Sequence, residues 1–491
     1  MPVLPLAAHA NLEHLKNQAK VVQRAVRAGD PWGLARVAEF HPRRSELVQD
    51  PTGRASFSRA DAQHVVARQH GLASWRELRR HLDVVTAHSR SPHLQAVDVP
   101  LDTHADRVAG FLRLACLNYG QDDPRRRDRA RRLLADHPEI AISDIFTMAA
   151  VGEADAAAAL LAEDASLARA EGGPFRWPAL LYLAYSRVDG GPDRSALATA
   201  RVLLDAGADP DAGFLWEGLD PPFTALTGAF GEGEQGPVNQ PRHPDSLALA
   251  RLLLQAGTDP NDGQALYNRH FGADDDHLRL LLAFGLGTGS GGPWKALLGD
   301  THPSPRDMVA DQLERAVAGD RPERVRVLLD HGTPITDGLL RQALLDGSTQ
   351  VAAHLRDAGA AAVQLTAAEA LVAACMAGDV DQVGQLQMAD PGLAGRAINA
   401  HPAAVRRAAQ LGRARAVPLL AQAGFDIDAV DRTAALHEAA WHGDLALIRL
   451  LLDLGADPTI RDEEHGATPL GWAQHAGHDA ATALLERQDM A

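Results

Sequence analysis

The side chains in this sequence that could do chemistry are concentrated in a polar and aromatic stretch between positions 213 and 302. Histidine and glutamate are the commonest proton-transfer groups in enzymes, while aromatic rings and arginine dominate binding hot spots. The candidate acid–base groups are His243, His270, Glu232 and Glu234. The candidate binding residues are Trp216, Glu217, Asn239, Tyr267, Asn268, Arg269, Trp294 and Lys295. If neighbouring elements bring them together, they predict a pocket for a small polar ligand or for acid–base chemistry.

Other motifs give weaker chemical signals. His437 and His442 stand five residues apart, whereas a zinc pair on one helical face needs a spacing of four. The glycine run at 285–295 has no closing GK[ST] and favours a loop between repeats over a phosphate site. Three consecutive aspartates at 274–276 suit the positive start of a helix. We therefore predict no metal and no cofactor.

Length and composition limit the elements that could position these residues. The chain has 491 residues, too many for one ordinary core, so it needs several domains or a repeat array. Apolar residues make up 46% of it and aromatic residues only 4%. Alanine and leucine carry most of this apolar content, which suits thin helical layers. The composition predicts an all-α fold.

A repeated motif is clearest near the C-terminus. Residues 435–440 read ALHEAA, Gly443 follows, and residues 450–458 read LLLDLGADP before Thr468-Pro469-Leu470 opens another unit. This pattern resembles the ankyrin repeat, in which a TPLHxAA helix, a turn and an LLxxGAD helix ending recur. The same helix ending returns at 203–210, 252–260, 280–287, 327–334, 354–360 and 419–427. The resemblance implies a solenoid of stacked helix pairs with a concave binding surface.

Glycine spacing sets the register of the array. Gly424 and Gly455 are 31 residues apart, and Gly359 and Gly424 are 65 apart, which corresponds to one and two units of the expected period. We place the array at 140–491, with about 9–10 units and insertions near 212–245 and 286–305. Loops of this length in compact arrays are usually functional or disordered.

The segment before the array predicts a separate helical subdomain. Residues 12–28 and 58–82 have helical patterns, and Ser58 with Asp61 and Ser74 with Glu77 have capping-box spacing. We assign 1–90 to an N-terminal helical leader subdomain and 91–139 to a linker and helical cap. The leader is similar to helices found before ankyrin arrays in uncharacterised bacterial proteins, a resemblance that names no activity.

Charge and cysteine content narrow the expected partners and location. Acidic residues outnumber basic ones by 64 to 48, although residues 1–90 carry a net +6. The overall excess of negative charge would repel a phosphate backbone and argues against general nucleic-acid binding. Only two cysteines occur, the first ten residues lack a charged signal sequence, and no apolar run is long enough to cross a membrane. We expect a soluble cytoplasmic protein.

Two functions remain open from the sequence. The first is a scaffold that recognises a protein partner through the concave face, with Trp216, Tyr267 and Arg269 as anchors. The alternative is an enzyme or small-molecule binder whose pocket lies at 214–302. The structural alternative to that pocket is that Trp216 and Tyr267 pack between repeats while the charged groups are solvated. A third function, RNA or DNA binding by the basic residues 1–90, requires a basic stripe that the interspersed acidic residues dilute.

Overall fold

The computed structural model describes residue 6 and residues 11–188, 191 and 193–489. Helices account for 62% of the chain and strands for 4%, which confirms the predicted all-α class. The chain divides into two compact units, residues 1–308 and residues 309–491. Within the described ranges, no helix is long and apolar enough to cross a membrane. Most of the first ten residues, where we looked for a signal sequence, lie outside the described residues.

Six helices form the N-terminal bundle of the first unit. They are α1 (Leu12–Ala28), α2 (Pro31–Phe40), α3 (Arg44–Gln49), α4 (Pro51–Ala55), α5 (Arg59–Gln69) and α6 (Trp75–His88). Helix α1 has the bounds that the sequence pattern predicted. The pattern at 58–82 divides into two helices because Ser58 and Ser74 each accept a hydrogen bond at an N-cap. Leucine, valine and Phe57 side chains from these helices form a core of their own.

Twelve further helices complete the described part of the first unit. They are α7 (His104–Ala115), α8 (Pro124–Asp136), α9 (Ile145–Val151), α10 (Ala154–Glu163), α11 (Ala179–Tyr185), α12 (Ala196–Asp205), α13 (Ala225–Phe230), α14 (Gly236–Asn239), α15 (Ser246–Gln255), α16 (Gly263–His270), α17 (Asp276–Ala283) and α18 (Gly292–Leu298). Helices α9, α11, α13 and α16 pack in one row, and α10, α12, α15 and α17 pack in a second. These rows are the two layers of a solenoid.

Short strands lie between the N-terminal bundle and α13 in the described part of the first unit. They are β1 (Ser89–Arg90), β2 (Glu171–Gly172), β3 (Trp177–Pro178), β4 (Gly213–Trp216) and β5 (Leu219–Thr224). Strands β2 and β3 form an antiparallel hairpin before α11, and β4 and β5 form another before α13. Strand β1 pairs with β4 in parallel, so the end of the N-terminal bundle joins the second hairpin. The sequence patterns predicted none of these strands.

The predicted insertions contain regular structure. The one near 212–245 holds β4, β5, α13 and α14, and the one near 286–305 holds α18. Helix α18 packs against α6 through a small cluster that includes Leu215, Trp294 and Leu298. The glycine run at 285–295, which we predicted to be a loop, therefore continues into a helix at Gly292, because the apolar side chains after it are buried against the N-terminal bundle.

The second unit is made of helices α19 to α31, the first of which begins just before the division between units. They are α19 (Pro305–Ala318), α20 (Pro322–Asp330), α21 (Leu339–Leu345), α22 (Thr349–Asp357), α23 (Ala367–Ala377), α24 (Val380–Ala389), α25 (Leu393–Ala400), α26 (Ala404–Gln410), α27 (Ala416–Gln422), α28 (Ala435–Trp441), α29 (Leu445–Asp453), α30 (Pro469–His475) and α31 (Asp479–Asp489). Helices α26, α28 and α30 pack in a row, and α21 packs on α23.

In both units, glycines with a left-handed backbone end the second helix of several helix pairs, as the glycine spacing in the sequence predicted. Their φ angles lie between 78° and 104° at Gly207, Gly257, Gly285, Gly332, Gly359, Gly424 and Gly455. At Gly455 the backbone N–H groups of residues 455 and 456 donate to the carbonyls of Leu452 and Leu451, which closes the helix end. A side chain at such a φ would be strained, which explains why glycine recurs there.

Candidate functional site

The segment 231–245 is held by a buried ion network. Glu232 is 5% exposed and has a left-handed φ of 59°. Its Oε1 accepts from Arg242 Nε at 2.6 Å and forms an ion pair with Arg269, which is 1% exposed. Two guanidinium groups thus neutralise this candidate acid–base carboxylate. The same contacts bury Arg269, so its side chain offers no surface to a partner and the proposed anchor role does not fit this conformation.

Asp274 completes the network from the start of α17. Its Oδ1 accepts from Arg269 Nη2 at 2.7 Å, and its Oδ2 pairs with Arg242. Partial burial opposes its ionisation, but the hydrogen bond from Arg242 and the charges of both arginines hold its pKa at about 2. Arg242, which is not one of the candidate site residues, is therefore part of this site. Asp274, predicted to be a charge at a helix start, lies before α17 and also belongs to it. The sequence signal was their position, Arg242 inside the insertion and Asp274 in the turn between α16 and α17.

His243 follows Arg242 in the inserted segment and is buried. It is 6% exposed, and its Nδ1 accepts from the backbone N–H of Asp245 at 3.0 Å. Burial, with a smaller effect from the charge of Arg187, lowers its pKa to about 3. A proton carrier works best with a pKa near the operating pH. The environment of His243 therefore favours a neutral, structural imidazole.

The accessible edge of the insertion holds a second group of candidates. Glu234 is exposed and accepts from the Tyr267 hydroxyl at 2.5 Å. The rings of Tyr267 and His270 each lie 5.4 Å from the ring of Phe271. Asn268, one residue further along α16, is 2% exposed and its Oδ1 accepts from Gln264. The structure thus brings Glu232, Glu234, Tyr267 and Arg269 to one insertion, while Asn268 points into the protein.

The opposite end of the insertion is attached to the helical cap. Arg127 on α8 donates to the backbone carbonyls of Asn239 at 2.9 Å and Val238 at 2.7 Å. Gln235 Nε2 donates to the carbonyl of Gly120 at 2.7 Å. The Asn239 contact involves its backbone, and the side chain is half-buried. The insertion therefore connects elements separated by more than a hundred residues in sequence.

The remaining candidates lie around the β4–β5 hairpin. The Trp216 ring stacks on His93 with 4.2 Å between centroids, and Glu217 Oε1 lies 3.1 Å from His93 Nε2. Trp294 is 8% exposed, and its indole N–H donates to the carbonyl of Asp211 at 3.0 Å. Lys295 donates to the carbonyls that follow α18, at 2.9 Å to Gly299 and 2.5 Å to His302. The Trp216 and Glu217 contacts attach the hairpin to the linker at His93, and the Trp294 contact attaches α18 to the loop before the hairpin.

The second unit contains an open groove that no sequence pattern identified. Its volume is about 700 Å³, and it crosses α21, α23 and α26 together with the end of α25, the loop at 401–403 and residues 430–431. Leu345, Val372 and Met376 provide apolar lining. The repeat pattern predicted the helices, but the groove depends on the packing distance between them.

Ion pairs within the second unit neutralise the arginines that line the groove. Arg341 Nη1 lies 2.6 Å from Glu369, and Arg407 binds Asp346 through two nitrogens at 3.0 and 2.6 Å. Arg406 contacts Glu438 at 3.3 Å and Asp431 at 3.1 Å. The groove therefore presents apolar surface between locally balanced charges.

Comparison with known proteins identifies these helix pairs. The family model described as ankyrin repeats (3 copies) matches residues 371–462 and 406–491. The C-terminal part of this chain is made of ankyrin repeats. The chain is also 37% identical over 82 residues to the E3 ubiquitin-protein ligase Ufd4 of Drosophila melanogaster. That match covers 16% of this chain and 3% of the ligase, so the likeness concerns one short segment.

His437 shows how neighbouring ankyrin repeats are joined. Its Nδ1 accepts from the backbone N–H of Ala434 at 3.2 Å, and its Nε2 is 3.0 Å from the carbonyl of Ala467 in the next repeat. Burial lowers its pKa, which favours the neutral ring that these two bonds require. This histidine braces a turn, as its position in the ankyrin motif implied.

An aromatic cluster lies on the last two ankyrin repeats. Trp441, at the end of α28, is 38% exposed. Its ring lies 5.6 Å from that of Trp472 and stacks on His475 at 6.0 Å. Helices α28 and α30 continue the row that begins with α26, so this cluster follows the groove along the second unit.

Proposed function

We propose that the groove on the C-terminal ankyrin repeats binds a segment of a protein partner. The observation that carries this proposal is the apolar lining on successive first helices, which spans α21, α23 and α26. Ankyrin repeats generally mediate protein–protein interaction. A partner that covers half-buried Leu345 and exposed Val430 would remove apolar surface from water, which drives most protein association.

The charges of the groove support a protein partner over a polyanion. The guanidinium groups of Arg341, Arg406 and Arg407 already have carboxylate partners. A phosphate backbone would have to displace those carboxylates to gain ion pairs. A peptide segment can instead bury apolar side chains on the floor and hydrogen-bond to the existing ion pairs at the rim.

Trp441 and His475 support a binding role for the surface beyond the groove. Tryptophan contributes large contact area at low entropic cost and is enriched among hot spots. The pair extends the surface along the stacked first helices. We propose the groove as the main site and this cluster as its continuation.

Site-specific photo-crosslinking tests the proposal. A photoreactive residue at Ala400, which is exposed in the groove, is compared with one at Met388, which is 78% exposed on α24 and is not among the groove-lining residues. We expect one discrete protein to crosslink from position 400 and not from position 388.

The captured protein is then purified and titrated against groove variants. The double variant Ala400→Arg/Val430→Arg adds bulky cations at two exposed positions of the groove, and Met388→Arg is the matched control. We expect the groove variant to bind at least about tenfold more weakly and the control to bind like the wild type. Equal affinity in all three proteins would show that the groove is not the binding surface.

A further inference from the structure

A cavity in the N-terminal bundle has features that the proposed function does not explain. Its volume is about 480 Å³, it is open to solvent, and it lies between the end of α2, the start of α3 and one face of α5, with Arg44 and Arg68 exposed at its surface. Arg44, His64 and Arg68 line it, together with His41 and Glu39. His64 and Arg68 are four residues apart on α5, so both side chains face the cavity from the same side of that helix.

The cationic groups of this cavity have unused bonding capacity. Among the described residues, the guanidinium groups of Arg44 and Arg68 form no ion pair and no hydrogen bond. Within the same ranges, His64 makes a ring contact with His41, at 5.6 Å between centroids, and no side-chain hydrogen bond. Two arginine forks and an imidazole can therefore donate to an incoming ligand without breaking existing contacts.

The carboxylate of Asp61, near the cavity, is already neutralised. Asp61 Oδ1 lies 2.9 Å from Arg43 Nη2 and 3.2 Å from His41 Nε2. Burial opposes the ionisation of Asp61, but hydrogen bonds from Ser58 and Arg43 hold its pKa at about 2. Asp61 therefore stays charged and occupied, and it does not compete for Arg44 or Arg68.

Glu39 adds a negative charge to the cavity, so this side chain favours a hydrogen-bond donor whereas the arginines favour an anion. It is half-buried, and its Oε1 has no hydrogen-bond partner among the described residues. A bare dianion beside this carboxylate would be repelled. A ligand that carries a hydroxyl or ammonium group next to its anionic group would satisfy Glu39 and the arginines together.

We propose that this cavity binds a phosphate monoester whose organic part carries a hydrogen-bond donor. Three terminal oxygens of the phosphate suit two guanidinium forks and an imidazole better than the two oxygens of a carboxylate would. The net charge of +6 on residues 1–90 attracts such a dianion toward this bundle rather than toward the acidic remainder of the chain. The phosphate group comes from a small metabolite or from a phosphorylated side chain of a protein.

Calorimetric titration of the full-length protein tests the site. The probes are O-phosphoethanolamine, a capped phosphoserine peptide and inorganic phosphate. We expect saturable binding that becomes at least about tenfold weaker in Arg44→Ala and in Arg68→Ala, because each substitution removes a charged hydrogen-bond donor. Arg79→Ala, which removes an exposed arginine on α6, is the control with equal net charge and should bind like the wild type.

The substitution Glu39→Gln should change the affinities for two of the probes in opposite directions. Removal of the negative charge should strengthen binding of inorganic phosphate and weaken binding of O-phosphoethanolamine, whose ammonium group loses its partner. Thermal unfolding of each variant checks that the bundle still folds, and Arg68→Lys, which keeps the charge, should lose less affinity than Arg68→Ala.

The relative affinities of the three probes identify the source of the phosphate group or overturn the site. If the phosphoserine peptide binds more tightly than O-phosphoethanolamine, the ligand is a phosphorylated protein, and the reverse order indicates a metabolite; both results support the site. Absence of saturation below about 10 mM for every probe would overturn the proposal. Equal weakening in Arg79→Ala would also overturn it, because that result would mean general attraction by net charge. None of these results depends on the groove in the second unit.

Discussion

Replacing Arg269 by methionine should destabilise the inserted segment 231–245 of the first unit. The substitution preserves most of the buried volume and removes one of the two guanidinium groups that neutralise Glu232. Breaking a buried ion pair typically costs about 3–5 kcal/mol because it leaves an uncompensated charge. Arg242 remains and is one-third exposed, so the lower end, about 3 kcal/mol, is expected here.

Hydrogen exchange of the α16 amides is the appropriate assay, because a chain with two compact units need not unfold in one step. If α16 opens together with the insertion, a loss of about 3 kcal/mol in the free energy of opening makes its amides exchange faster by about two orders of magnitude. Amides of α28 in the second unit provide the internal reference and should keep their protection. Arg251→Met removes an exposed arginine from α15 and should change little.

A double variant should partly recover this stability. Glu232→Gln in the Arg269→Met background removes the charge that the first substitution leaves without a partner, so the two effects should not add. Exchange of α16 within about twofold of the wild type in Arg269→Met would refute the stabilising role of the network. Full additivity of the two substitutions would refute the coupling between them.

Two further predictions follow from individual histidines. His243 should remain neutral from pH 8 to about pH 5, as followed by NMR of its ring, because burial lowers its pKa to about 3; titration near 6.5 would contradict the buried environment. Since the unfolded chain binds this proton more readily, the stability that His243 contributes is complete above about pH 6.5 and is lost as the pH falls toward 3. His437→Ala should cost about 1–3 kcal/mol in urea unfolding of the second unit, because two buried backbone groups lose a partner; an unchanged midpoint would argue against the bracing role.

Local sequence signals predicted much of the fold because they act over a few residues. Helix α1 begins at Leu12 after the Asn11 cap, and Ser58 and Ser74 start the next two predicted helices. The glycine register located the ends of the second helices because only a residue without a side chain adopts that φ at low cost. The ankyrin motif at 435–470 combined these signals into a family pattern that the comparison confirms in the C-terminal part.

The hairpin strands and the short helices α3 and α4 were not predicted. Strand β1 has two residues, and it pairs with β4 across more than a hundred positions in sequence. No periodicity can be read from a segment that short. Such strands form because hydrogen-bonding groups of the hairpin and the end of the bundle meet in three dimensions.

The roles of the candidate site residues depended most on tertiary structure. The sequence indicated that Glu232, His243, Tyr267 and Arg269 belong to one region, and the structure places them around one insertion. In the structure, Glu232 and Arg269 form an ion pair with each other, and both side chains are buried. A ligand-binding role for Trp216, Glu217 or Lys295 and a cytoplasmic location remain predictions.

Residue type and spacing limit what a side chain can do, whereas its surroundings set its charge, its partners and its access to solvent. Helix starts and helix ends were legible in the chain because they arise from contacts between residues at most five positions apart. The repeat period was legible because those helix ends recur at a regular spacing. The groove across α21, α23 and α26 and the cavity beside Arg44 and Arg68 were not legible. Their shapes depend on the packing of helices that are remote in sequence, and no local pattern records that distance.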